Sequence, residues 1–213
     1  MLNTKLFDHT ILKADATQAQ VAKICDEALA HDFASVCVNQ YYTKFVAEKL
    51  KGSDVKVCTV VGFPLGMSDT RVKAFETRAA IEDGAQEVDM VINVGALKDG
   101  KYDFVRSDIQ TLKEVCGKDL VLKVIIETCL LSDDSQCCAC SETACAGICH
   151  SLCLVCVVDS AGSFYAHIRA YGLSHQGNIS RFCTAGRKSG GGFYEVSAGF
   201  FCELARFYFL FIG

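Results

Sequence analysis

Over the first 128 or so positions the apolar residues switch repeatedly between a helical and a strand period. Thr17-Gln18-Ala19-Gln20 has the spacing of a capping box, and Val21, Ile24, Cys25 and Leu29 then recur at helical spacing up to about His31. Ala34-Ser35-Val36-Cys37-Val38 is a short apolar, β-rich run of the kind covered on both faces. Phe45, Val46 and Leu50 predict a second helix, which Gly52 closes. Residues 55–63 read as the next strand, stopped by Pro64, the only proline. Ser68 or Asp69 caps a helix with Val72, Phe75 and Ala79 on one face, ending at Gly84. A strand over 87–94, a helix near 102–116 and a strand over 120–128 continue the alternation.

Strands and helices alternating every 25–30 residues or so imply right-handed βαβ units and a parallel sheet, either doubly wound or closed as a (β/α)₈ barrel. No Gly-x-Gly-x-x-Gly follows the first strand, so nothing points to a dinucleotide. Side-chain alternation favours the barrel. Val88, Met90 and Ile92 oppose Asp89, Val91 and Asn93; Leu122, Val124 and Ile126 oppose Lys123, Ile125 and Glu127; Lys56, Cys58 and Val60 oppose Val57, Thr59 and Val61. One apolar face against covering helices and one face with isolated charges in a lumen is the pattern of a (β/α)₈ TIM barrel. Charges in such a lumen must meet one another, so Asp89, Lys123 and Glu127 are either a reactive cluster or a structural ion pair.

Composition divides the chain. Its 213 residues, net charge −4 and 51% hydrophobic content suit one globular domain over 1–213. Residues 1–123 hold 16 of the 21 basic and 18 of the 25 acidic residues, whereas ten of the 14 cysteines lie from Cys129 onward. No apolar run approaches the ~18–20 residues of a membrane span, and the first residues lack the apolar core of a signal peptide. The absence of a basic stretch makes nucleic acid a poor partner. A cytoplasmic protein, free of membrane and nucleic acid, is expected.

Five blocks carry a family resemblance. Asp8-His9-Thr10, Ala34-Ser35-Val36-Cys37-Val38-Asn39, Lys56-Val57-Cys58-Thr59-Val60-Val61-Gly62-Phe63-Pro64-Leu65-Gly66, Glu87-Val88-Asp89-Met90-Val91-Ile92-Asn93 and Leu122-Lys123-Val124-Ile125-Ile126-Glu127-Thr128 together resemble the deoxyribose-phosphate aldolase family. The match runs from about Asp8 to about Asp134. It implies a TIM barrel and a cofactor-free class I aldolase of deoxyribonucleotide catabolism. Such a lyase reversibly splits 2-deoxy-D-ribose 5-phosphate into glyceraldehyde 3-phosphate and acetaldehyde through a lysine Schiff base. By resemblance Asp89 transfers protons, Lys123 lines the same pocket and helps to position it, and Asp8, Thr10, Cys37 and Asn93 line the substrate. A buried, inert thiol is an equal reading for Cys37. The partners implied are a sugar phosphate and an aldehyde; a homo-oligomer is left open.

After about residue 134 the chain departs from the family. The family's Schiff-base lysine lies in a Lys-Thr-Ser-Thr-Gly stretch some thirty residues after Lys123, where this chain reads Ser151-Leu152-Cys153-Leu154-Val155-Cys156-Val157-Val158-Asp159. Arg187-Lys188-Ser189-Gly190-Gly191-Gly192 lies at a distance compatible with the family's later Lys-Ala-Ser-Gly-Gly stretch. The resemblance therefore assigns Lys188 as the remaining catalytic lysine, with Gly190 and Gly191 in the phosphate cradle; a surface lysine in a Gly-rich turn is the plain alternative. One codon string for the closing Tyr-Phe-Leu-Phe-Ile-Gly reads Thr-Ser-Ser-Ser-Leu one base later, a turn of the family's kind. Residues 135–213, rich in cysteine and aromatics, are accordingly expected to be divergent or translated out of frame, compromising the last three βα units. Cys153 and Cys156 with His150 have the makings of half a zinc site, but they fall in a strand-like apolar run, and no metal is assigned. The competing function is a catalytically silent or frame-damaged barrel without the Schiff-base lysine, with metal binding by its Cys cluster left open.

Overall fold

In a computed structural model, the residues described are 4–127, 130–132 and 135, together with the backbone of four two-residue strands beyond them. All of these fall within one compact unit, Met1–Leu173. The elements run η1 Thr4–Leu6, β1 Asp8–Ile11, α1 Gln18–His31, β2 Ser35–Val38, η2 Gln40–Tyr42, α2 Thr43–Lys49, β3 Lys56–Val61, α3 Thr70–Glu82, β4 Glu87–Val91, α4 Val94–Lys98, α5 Tyr102–Cys116 and β5 Val121–Ile125. The short strands are β6 Leu152–Cys153, β7 Cys156–Val157, β8 Tyr165–Ala166 and β9 Arg169–Ala170.

Strands β1 to β5 pair in sequence order and all in parallel, with Asp89 directly opposite Lys123 and Cys37 directly opposite Cys58. β6 continues the parallel order beside β5, but β9 pairs with it antiparallel, and β7 with β8 form a separate antiparallel pair. The repeating βαβ order is thus carried by the first five strands, the part in which charge and periodicity are regular.

Which face each side chain takes decides between the two architectures. Val36, Val38 and Val57 pack with Val21, Cys25 and Ala28 of α1 and Val46 of α2. Val61, Val88, Met90, Ile92, Leu122, Val124 and Ile126 pack with Ala74 and Ala80 of α3 and Val105, Ile109 and Leu112 of α5. These positions form one continuous face of the sheet, and it is the face that the described helices cover. A doubly wound sheet carries helices on both faces; this is the (β/α) barrel arrangement, with Cys37, Cys58, Val60, Val91 and Ile125 on the inner face. Each fully buried Val, Leu or Ile contributes about 1.5–3 kcal/mol.

Local signals hold at the helix starts. Thr17 accepts from Gln20 N at 3.4 Å while its own N–H donates to Gln20 Oε1 at 2.8 Å, closing the capping box. Asp69, rather than Ser68, caps α3 by accepting from Arg71 N at 2.8 Å. The loop after β3 needs glycine at Gly66: its φ is +65°, and a Cβ there would lie 1.9 Å from the Ile92 carbonyl oxygen.

Four expectations are corrected. Helix α3 does not bury Val72 and Phe75, which are 55% and 68% exposed; it buries Lys73, Ala74, Thr77 and Ala80. The cause is polar: Lys73 Nζ donates to Asp108 Oδ2 of α5 at 2.7 Å and to the Val91 carbonyl at 3.1 Å, which turns the helix away from its apolar stripe. In α1, Ala28 rather than Leu29 faces the sheet. The outer face of β3 is not wholly apolar, since Thr59 lies on it, satisfied by donating to the Val38 carbonyl at 3.0 Å. The fourth and fifth strands end at Val91 and Ile125, before Asn93 and Glu127.

Candidate active site

The inner face of β1, β4 and β5 brings four charged side chains together. Lys123 Nζ lies 2.7 Å from Asp8 Oδ2, 2.9 Å from Asp89 Oδ1 and 3.4 Å from Glu87 Oε2, and all four residues are buried. Parallel register sets Asp89 against Lys123, while the same parity within β4 puts Glu87 and Asp89 on one side. Ser35 Oγ donates to Asp8 Oδ1 at 2.6 Å, fixing the carboxylate from the neighbouring strand. Burial pulls the Lys123 ammonium downward, but the charges of Asp8 and Asp89 outweigh it and hold its pKa well above the ordinary lysine value. Lys123 is therefore a fixed cation here and not a neutral amine nucleophile.

Two thiols complete this wall. Cys58 Sγ lies 3.5 Å from Lys123 Nζ, and the Cys37 and Cys58 thiols are hydrogen-bonded to each other. For Cys37 that bond favours the thiolate, but burial and the nearby Asp89 charge prevail and raise its pKa; Cys58 is raised well above the ordinary value, chiefly by burial. Both are protonated thiols at neutral pH, which makes Cys37 a poor nucleophile as it stands.

Thr10 is part-buried on β1, its hydroxyl donating to the Asp8 carbonyl at 2.8 Å. Asn93 caps α4, its side-chain oxygen accepting from Ala96 N at 2.9 Å. Glu127 lies past the end of β5 with φ 52° and is nearly buried. Lys188, Gly190, Gly191 and His150 lie outside the described residues, as do the side chains of Cys153 and Cys156.

Sequence reasoning missed the part played by Glu87, Ser35 and Cys58. For Glu87 a signal existed, because a residue two before Asp89 in a strand must share its face. No local signal marks the Asp8–Lys123 contact, which joins positions 115 apart.

Comparison with known proteins shows the family. The sequence profile described as DeoC/LacD family aldolase matches residues 3–150. The deoxyribose-phosphate aldolase of Clostridium tetani is 61% identical over 137 residues, which are 64% of this chain and 63% of the relative. That of Finegoldia magna is 59% identical over 136 residues, with 64% and 63% covered. The chain thus spans about 63% of the length of these relatives. Among solved structures, an aldolase called QR15 superposes with a TM-score of 0.66 at 33% identity, covering 71% of this chain and 67% of that one. The tetrameric deoxyribose phosphate aldolase of Aeropyrum pernix gives 0.60 at 28% identity, covering 68% and 60%.

Proposed function

Because this chain belongs to the DeoC/LacD aldolase family, we propose that it acts as a class I aldolase, reversibly splitting 2-deoxy-D-ribose 5-phosphate into glyceraldehyde 3-phosphate and acetaldehyde. The observation that carries this reading is the buried Lys123 ammonium held between Asp8 and Asp89 on the barrel's inner face. A Schiff-base lysine must be neutral near pH 7, and a neighbouring cation lowers its pKa. Lys123 supplies that cation. Lys188, the only lysine after it, is then the amine that attacks the substrate aldehyde and expels water to form the imine.

The imine accepts the electron pair released when the carbon–carbon bond breaks, and Asp89 takes the proton of the hydroxyl on the cleaved carbon, whose oxygen becomes the carbonyl of the departing aldehyde. Glyceraldehyde 3-phosphate leaves; protonation and hydrolysis of what remains release acetaldehyde and restore the lysine. Asp8, Thr10, Cys37 and Asn93 line the substrate, and Gly190 and Gly191 hold its phosphate through backbone N–H groups. No cofactor enters this scheme. Among the described residues no helix is long and apolar enough to cross a membrane, and we place the enzyme in the cytoplasm, in deoxyribonucleotide catabolism. A homo-oligomer is consistent with the tetramer formed by the Aeropyrum pernix relative.

A second reading rests on β6. Leu152 and Cys153 pair beside Val124 and Ile125 in the strand that follows Lys123, and residues 151–159 contain no lysine. On this reading the chain is an aldolase-like barrel without imine chemistry. Sodium borohydride added with deoxyribose 5-phosphate separates the two. The first reading expects a stable adduct on the peptide containing Lys188, absent in Lys188→Ala; an unmodified protein would favour the silent barrel. Sequencing the coding DNA from codon 125 to the stop in all three frames then shows whether residues after about 134 are an altered reading of an ordinary aldolase gene.

A further inference from the structure

On the inner face of the sheet, Cys37 Sγ, Cys58 Sγ and a carboxylate oxygen of Asp89 all lie within 4.8 Å of one another, and all three residues are completely buried. Asp8 and Glu87 stand beside them, each within 3.4 Å of the Lys123 ammonium that also meets Asp89. A divalent cation there would sit among buried carboxylates, which attract positive charge strongly where water is excluded. The two sulfurs select which cation: thiolates with one carboxylate suit a thiophilic divalent ion and disfavour magnesium or calcium.

We propose that Cys37, Cys58 and Asp89 form a binding site for a thiophilic divalent cation of the zinc and cadmium class. Thiolates about 2.3 Å from zinc in a tetrahedral shell stand roughly 3.8 Å apart, so the present separations need contract by no more than about 1 Å. Cys37 and Cys58 are already opposite one another in parallel register, which fixes their spacing through the backbone. Binding converts two thiols to thiolates and releases two protons to solvent, and Asp89 coordinates through one oxygen. Lys123 keeps Asp8 at 2.7 Å and Glu87 at 3.4 Å as its partners. The fourth position is left for water. An occupied site withholds Asp89 from substrate; that consequence, unlike the binding, rests on the aldolase reading.

Cadmium alone is the probe. Titration of the full chain followed by ¹¹³Cd NMR and metal analysis is expected to give one equivalent, with its own resonance, that is lost in Cys58→Ser and retained in the Cys153→Ser/Cys156→Ser double variant. Asp89→Asn, which preserves shape and both thiols, is expected to weaken that equivalent at least tenfold. It decides the matter should Cys58→Ser fail to fold by circular dichroism. Identical cadmium content and spectra for the parent and Cys58→Ser, or an unchanged affinity in Asp89→Asn, would overturn the proposal. Neither outcome depends on aldolase activity, which borohydride trapping reads separately.

Discussion

Replacing Lys123 with methionine is expected to lower the unfolding free energy by about 3–5 kcal/mol, because it removes the cation set among buried carboxylates. Methionine approximates the aliphatic stem, so the loss is chiefly of charge. Asp8, Asp89 and Glu87 would then face one another in the inner wall, where each now lies within 3.4 Å of the ammonium. Urea midpoints at pH 7, compared at equal slope, measure the effect.

The pH dependence gives a second reading of the same substitution. A lysine whose folded pKa is raised contributes stability that is fully present below its unfolded pKa, about 10.4, and is lost as pH rises through the folded value. The parent should therefore lose this contribution only in strongly alkaline solution, and the variant should lack that alkaline limb. Below neutrality the variant should recover part of its deficit, since protonating a carboxyl reduces the repulsion among the three carboxylates. A variant as stable as the parent at pH 7 would show that Lys123 does not compensate the cluster.

The second large effect lies outside the site. Lys73→Met is expected to cost about 3–5 kcal/mol, because it strands Asp108 between α3 and α5 and removes the donor to the Val91 carbonyl. Replacing both partners, Lys73→Met with Asp108→Leu, should restore most of that loss, since a well-packed apolar pair often matches a buried ion pair. Recovery will be incomplete, because Thr70 Oγ1 donates to Asp108 Oδ1 at 2.7 Å and loses that acceptor. A double-mutant cycle from urea unfolding measures the coupling. If the double variant were as unstable as the single one, the ion pair would not be what orients α3. The pair matters to the site as well, because Val91 ends the strand that presents Asp89.

Much of the fold was legible because its causes are local. The capping box at Thr17, the period of 102–116 and the alternation in β3, β4 and β5 depend on neighbours a few residues away, and each element formed within a few positions of its expected place. Asp89 and Lys123 were legible for the same reason: a charge at an inward position of an otherwise apolar strand is visible from period alone. Helix α3 was misread because the apolar stripe of Val72 and Phe75 competes with a lysine whose partner, Asp108, lies 35 positions away. The short α4 was missed for want of a long period, five residues being less than two helical turns.

The sequence by itself determined a parallel βαβ chain with one charged inner face and the aldolase family that its first 134 or so residues resemble. Tertiary structure alone decided that Asp8 reaches Lys123 across 115 positions, and that Cys37 and Cys58 stand beside Asp89. The physical reason is range. Backbone propensity and side-chain period act over a few residues and are written in order along the chain. A buried charge takes whichever partner the strand register brings within about 3 Å, and register follows from the packing of the whole sheet.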